Sequence, residues 1–296
     1  MDEIIASKRG KYMSISLKAL NKLDIEKIVN LSHSVGWDYD QHEIQTVLDS
    51  GNIYGHINEH DELLSSAAII PYGQDLASIG MVIVNPQYRG LGLGKSVVEA
   101  CINSITSNTP IMLISTDEGK PMYEKLGFQT VSSVHKYLCD HYITPTSSCL
   151  HNQYDIGFYQ DKDFPQIKQL DQEAVGPNRE DFLKHRIRQS KRSLVARGTN
   201  GDIVGFGLSI QTPANLILGP IVALNDQVAT LLIHSLSKNH SGRLRIDISQ
   251  GKESFIQDLE NIGFQKISQP PVMLLHADKL PPRNNTLYGI AAQIFG

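Results

Sequence analysis

Cysteine is scarce: Cys101, Cys139 and Cys149 are the only three in 296 residues. An odd number without metal-type spacing argues against a disulfide framework and calls for no metal; reduced thiols in a cytoplasmic protein are expected. Tryptophan occurs once, as Trp37. Long apolar runs are missing, and none approaches the eighteen or so residues of a membrane span, so no membrane partner is expected. The N-terminus, Met1-Asp2-Glu3-Ile4, leads into no apolar core of a secretory signal. Excess charge is missing too. Twenty-seven basic against 31 acidic residues leave a formal net charge of −4, which gives no general reason to bind nucleic acid. The short tract Lys8-Arg9-Gly10-Lys11 reads as a solvated tail. With 41% hydrophobic and 20% charged residues, the chain is a globular protein long enough for two domains.

Periodicity divides the first half into a mixed series. Strands are expected over Met13 to Lys18, Ile53 to Asn58, Leu63 to Ile70, Leu76 to Val84, Ile111 to Ser115 and Phe128 to Cys139. Helices are expected over Leu23 to Ser34, Asp40 to Leu48, Gly94 to Ser107 and Gly119 to Leu126. The second half repeats the series, from a strand at Tyr154 to Tyr159 to a final strand at Phe264 to Leu275. Leu126-Gly127-Phe128 returns as Ile262-Gly263-Phe264, 136 residues on, and Ile83-Val84 as Ile221-Val222, 138 residues on. The chain is thus expected to be α/β (α+β), two copies of a mostly antiparallel mixed sheet flanked by helices. The expected division is a first domain over 1–140, a linker over 141–151, a second domain over 152–280 and an apolar tail over 281–296 that docks on a domain.

The most informative segment is Met81-Val82-Ile83-Val84-Asn85-Pro86-Gln87-Tyr88-Arg89-Gly90-Leu91-Gly92-Leu93-Gly94-Lys95-Ser96. A strand ends at Asn-Pro, a loop with three glycines follows, and a helix begins. Converging backbone amides at a helix N-terminus suit phosphate oxygens. The P-loop pattern fails, because its first glycine would fall on Arg89. The dinucleotide pattern fails from Gly90 and from Gly92 alike. What remains, Arg-x-x-Gly-x-Gly at Arg89, Gly92 and Gly94, resembles the acetyl-CoA loop of the GNAT superfamily of N-acetyltransferases. The run Tyr123-Glu124-Lys125-Leu126-Gly127-Phe128 resembles that family's second motif.

The resemblance implies acetyl-CoA as co-substrate, held by Met81 to Val84 and by the loop from Arg89 through Gly90, Leu91, Gly92, Leu93, Gly94 and Lys95 to Ser96. It also implies Tyr123 as the general acid near the CoA sulfur; a phenol with a pKa of about 10 keeps its proton at neutral pH. Many family members carry a glutamate on the strand at 76–84, and this strand has none. Three alternatives are left: the amine arrives largely neutral, a water chain carries the proton, or a base from elsewhere serves, with Glu43, His42, Asp75 and a second-domain group as candidates. Trp37 and Tyr39 lie where the family contacts its acceptor, with Tyr72 a weaker candidate; Trp37 either stacks on substrate or pins its loop.

In the second copy Ala223-Leu224-Asn225-Asp226-Gln227 replaces the glycine loop and Leu259 stands at the tyrosine position. That copy is expected to be degenerate, with Asn225 or Asp226 capping a helix. Asp247 faces either the acceptor cleft or solvent. The expected function is N-acetyl transfer to a small-molecule amine by direct attack in a ternary complex. A non-catalytic acyl-CoA sensor and a lysine or N-terminal protein acetyltransferase are the alternatives. A homodimer is compatible with the sequence.

Overall fold

The computed structural model describes residues 3–6, 12–143 and 153–296. The basic tract at 8–11, Cys149 and most of the expected linker lie outside the described residues.

The first repeat runs β1 (Glu3–Ala6), β2 (Tyr12–Leu20), α1 (Ile25–His33), α2 (Gln41–Ser50), β3 (Asn52–Asn58), β4 (Leu63–Tyr72), β5 (Leu76–Val84), α3 (Leu93–Asn103), β6 (Ile111–Ile114), α4 (Lys120–Lys125) and β7 (Gln129–Cys139). The second runs β8 (Asp155–Phe158), α5 (Phe164–Val175), α6 (Glu180–Gln189), β9 (Arg192–Arg197), β10 (Ile203–Gln211), β11 (Leu216–Ala223), α7 (Asp226–Ser237), β12 (Leu244–Ser249), α8 (Glu253–Asn261), β13 (Gln265–Ser268) and β14 (Pro271–Leu275). A last short strand, β15 (Leu287–Gly289), lies in the tail. Among the described residues no helix is long and apolar enough to cross a membrane.

The expected mixed, mostly antiparallel architecture is present, and the two sheets are one. The order is β1-β2-β3-β4-β5-β6-β14-β7-β12-β15-β11-β10-β9-β8, with β13 also on β7. The repeats have exchanged their final strands. β14 pairs with β6, Val272 opposite Ile114 and Leu275 opposite Ile111. β7 pairs with β12, Val134 opposite Ser249 and Cys139 opposite Leu244. The final strand expected over Phe264 to Leu275 is broken at Gln269 and Pro270, because proline donates no ladder hydrogen bond.

Strand alternation sends successive side chains to opposite faces. In β4, Ala68 and Ile70 join a core that spans both repeats beneath α1, α2, α5 and α6, whereas Ala67 and Ile69 face α3. Both faces are covered, so nearly all of β4 is buried. A separate core lies beneath α7 and α8. The tail packs into the shared core: Ile294 and Phe295 are buried, Ser78 Oγ donates to the Ile294 carbonyl at 2.8 Å, and Tyr72 Oη to that of Phe295 at 2.7 Å.

Candidate active site

β5 and β6 pair in parallel only from Ala77/Ile111 to Ile79/Leu113 and then part. On the other side of β5 the register with β4 slips between Ser66 and Ala68. Met81 sits in this irregularity with a left-handed φ of 51°, its carbonyl accepting from Ser66 Oγ at 3.0 Å. A bulge of this kind turns a strand away from its neighbour. The gap is a cleft of about 530 Å³, with residues 79–84 on one wall and Leu113 and Ile114 on the other.

The glycine loop closes one end. Asn85 Oδ1 accepts from Gln87 N at 3.0 Å, and Gly90 and Gly92 take φ values of 82° and 79°. Gly92 is the N-cap of α3 and supplies no side-chain cap. Among the described residues, the amides from Arg89 to Lys95 have no protein acceptor. Several free N–H groups at the positive end of an eleven-residue helix form an anion site. The glycines serve different ends. A Cβ on Gly92 would meet nothing within 4 Å, so its need is the left-handed φ; one on Gly94 would press within 3.3 Å of Val84 Cγ2 and 3.4 Å of Met122 Sδ. The loop cations already have exposed partners, Arg89 with Glu118 at 3.0 Å and Lys95 with Glu99 at 3.5 Å. Exposed pairs of this type are worth little and exchange readily.

Met81, Val82, Ile83, Val84, Arg89, Gly90, Gly92, Leu93, Gly94, Lys95 and Tyr123 all line this one cleft. Leu91 and Ser96 do not. Leu91 packs against a small core of Ile15, Leu64 and Leu93, and Ser96 Oγ turns inward to His56 Nε2 at 3.1 Å. Tyr123, on α4, is 7% exposed and edge-on to Phe128, ring centroids 5.9 Å apart. Its hydroxyl has no protein hydrogen-bond partner among the described residues. Burial, with a smaller contribution from nearby Cys101, pushes this phenol well above its ordinary pKa.

A second cavity, of about 420 Å³, shares Trp37 and Thr116 with the cleft. Both repeats and the tail build it: Asp38, Tyr39 and Asp117 from the first, Thr212 and Arg245 from the second, Gln293 from the tail. Trp37, 36% exposed, stands edge-on to Tyr39 with centroids 5.9 Å apart. Tyr72 is elsewhere, 3% exposed and bonded to the tail. Of the candidate bases, Glu43 lines the cavity but is engaged by Arg186 at 2.5 Å and Gln189 at 2.7 Å. His42 and Asp75 are exposed and line neither space. Asp247 is 1% exposed and faces neither solvent nor open space; Arg245 Nη2 and Nε hold its Oδ2 at 2.7 and 3.1 Å.

Lys136 and Arg245, which also line the second cavity, escaped the sequence reading. The available signal was Arg245 and Asp247, two residues apart on one face of an otherwise apolar strand.

The second repeat has the same framework without the opening. β11 and β12 pair in parallel at Leu216/Leu244 and Ile217/Arg245 and then part. Here β15 fills the gap, Gly289 lying opposite both Ile221 and Ile248. A Cβ on Gly219 would come 2.1 Å from the Ile290 carbonyl oxygen. Asn225 Oδ1 caps α7 by accepting from Val228 N at 3.0 Å, and Leu259 is fully buried.

Comparison with known proteins agrees with this geometry. Two families, each described as an acetyltransferase (GNAT) domain, match residues 34–137 and 167–289. The chain is 36% identical over 278 residues to the uncharacterized N-acetyltransferase YitH of Bacillus subtilis, covering 94% of this chain and 97% of that one. Its fold is similar to that of a candidate acetyltransferase from Pyrococcus horikoshii, with a TM-score of 0.77, 18% identity and coverage of 95% and 96%. It is also similar to a tandem GNAT protein of the clavulanic acid biosynthesis pathway, with a TM-score of 0.65, 12% identity and coverage of 88% and 98%. The chain therefore belongs to the GNAT superfamily as a tandem GNAT N-acetyltransferase, a family that uses acetyl-CoA.

Proposed function

We propose that the first repeat alone binds acetyl-CoA and transfers its acetyl group to the amine of a small molecule, by direct attack in a ternary complex. The observation that carries this reading is the cleft between β5 and β6: free helix-N-terminal amides at one end, an unpaired tyrosine hydroxyl in its wall, and a second cavity adjoining it. The cleft fits the co-substrate. Amides from Arg89 to Lys95 suit the pyrophosphate, and the β5 edge beyond Ile79 offers unpaired backbone to the pantetheine arm. Bound acetyl-CoA supplies the activated acyl carbon. Tyr123 keeps its proton at neutral pH and gives it to the departing sulfur.

Direct attack is supported by the lack of an activated thiol at the cleft among the described residues. Cys101 is fully buried, and burial pushes its thiol up to about 12. A small acceptor is supported by the second cavity, a concave space walled by both repeats and the tail. The second repeat does not bind the co-substrate, because β15 stands between its diverging strands. Thioester consumption over an amine panel tests the reading. Turnover with small amines is expected; consumption only with peptide acceptors would replace the acceptor assignment.

A further inference from the structure

We propose that the acceptor amine carries an anionic group, carboxylate or phosphate, which Lys136 and Arg245 hold in the cavity between the repeats. The inference rests on the acetyl-transfer reading and adds the acceptor's chemical class.

β7 and β12 set Lys136 opposite Asp247 and Leu138 opposite Arg245. Residues opposite in a ladder, or two apart along a strand, share a face. Lys136, Arg245 and Asp247 therefore lie on one face of the sheet. Asp247 is committed to Arg245, its Oδ2 accepting from Nε and Nη2. That leaves Arg245 Nη1 and the whole Lys136 ammonium without a protein acceptor among the described residues. Lys136 is half-buried; burial and then the neighbouring Arg245 lower its pKa, with Asp247 and Asp38 opposing them in part. Lys136 and Arg245 face one cavity with Asp247 and the wall residue Asp38 as their nearest carboxylates, and a bound anion would accept from the donors that neither carboxylate takes up.

The acids on the cavity wall have a complementary placement. Asp38, which accepts from Thr212 Oγ1 at 3.0 Å, follows Trp37, and Asp117 follows Thr116. Trp37 and Thr116 are the residues shared with the cleft. An acceptor bound with its anion on the strands presents its ammonium to the acids, beside the junction where transfer occurs.

Calorimetry on the full chain with CoA present tests this. The probes are paired: amino acids against their amides, and aminoalkyl phosphates against the matching amino alcohols. The two arms separate carboxylate from phosphate. An acidic member should bind roughly 10- to 100-fold more tightly than its neutral partner. Lys136→Met should remove that preference with acetyl-CoA affinity retained, and Lys136→Arg should preserve it. Equal binding of both members, no binding of either, or an unchanged preference in Lys136→Met overturns the proposal. Lost turnover in Lys136→Arg with binding retained would make Lys136 the base and also overturn it. Acidic amines that bind without thioester consumption would leave the anion site standing and sink acetyl transfer.

Discussion

A phenol that protonates a leaving thiolate must be protonated when the reaction needs it and uncommitted to any other acceptor. Tyr123 meets both conditions, its pKa raised by burial and its hydroxyl unpaired among the described residues. Tyr123→Phe is expected to lower kcat by about 10²- to 10⁴-fold, the usual scale for general acid catalysis. Acetyl-CoA affinity should hardly change; unchanged turnover would remove Tyr123 from the reaction. The sign of its shift also sets the alkaline limb. A raised pKa means that no activity is lost through Tyr123 below a pH of about 10. A loss centred near pH 8 that disappears in Tyr123→Phe would contradict this. Gly92→Val should abolish measurable acetyl-CoA binding, because valine strains the left-handed φ of 79° on which the course of the loop depends. Calorimetry showing retained affinity would refute the loop's role. The glycine loop and Tyr123, which the structure brings to one cleft, could be singled out as candidates in the sequence because each lies in one contiguous motif. The cavity proposed for the acceptor could not. Asp38, Lys136, Thr212, Arg245 and Gln293 are far apart in the chain and meet only through tertiary folding.

At the scale of elements, α2 and α6 occupy equivalent places in the two repeats and join across the shared core. Arg186 on α6 is fully buried; its Nη1 donates to Glu43 Oε2 and to Gln189 Oε1, and its Nη2 to the Ala291 carbonyl. Removing one partner strands a buried charge. Arg186→Met is expected to cost about 3–5 kcal/mol of stability. Glu43→Gln combined with Arg186→Met should recover much of that loss, as thermal unfolding would report; an additive double variant would show that the two side chains act independently. Element type was legible wherever periodicity was strong, and β5 begins and ends where the sequence placed it. β15 was not, since three residues carry too little alternation to mark a strand. The partner of β14 was equally hidden, because side-chain patterning selects which face is buried, not which neighbour is paired.

At the scale of the whole molecule, the exchanged strands make each repeat depend on the other. Residues 1–143 alone would leave β6 and β7 with no strand between them, two open edges in the middle of the sheet. That fragment is expected to aggregate or to unfold without cooperativity, and co-expression with residues 144–296 should restore a soluble complex. A monomeric fragment with a sharp thermal transition would refute the mutual dependence. Calorimetric titration of the full chain should give one acetyl-CoA per chain, since β15 occupies the second gap; a stoichiometry of two would overturn the single-site reading.

The strand exchange has a genetic consequence. After duplication, selection could let the second copy's loop and tyrosine erode, because β14 contributes backbone and apolar side chains rather than chemistry. It could not let that copy be deleted. A stop codon anywhere before Pro271 removes the strand that separates β6 from β7. A nonsense mutation far downstream of the glycine loop is therefore expected to abolish activity as completely as one within it.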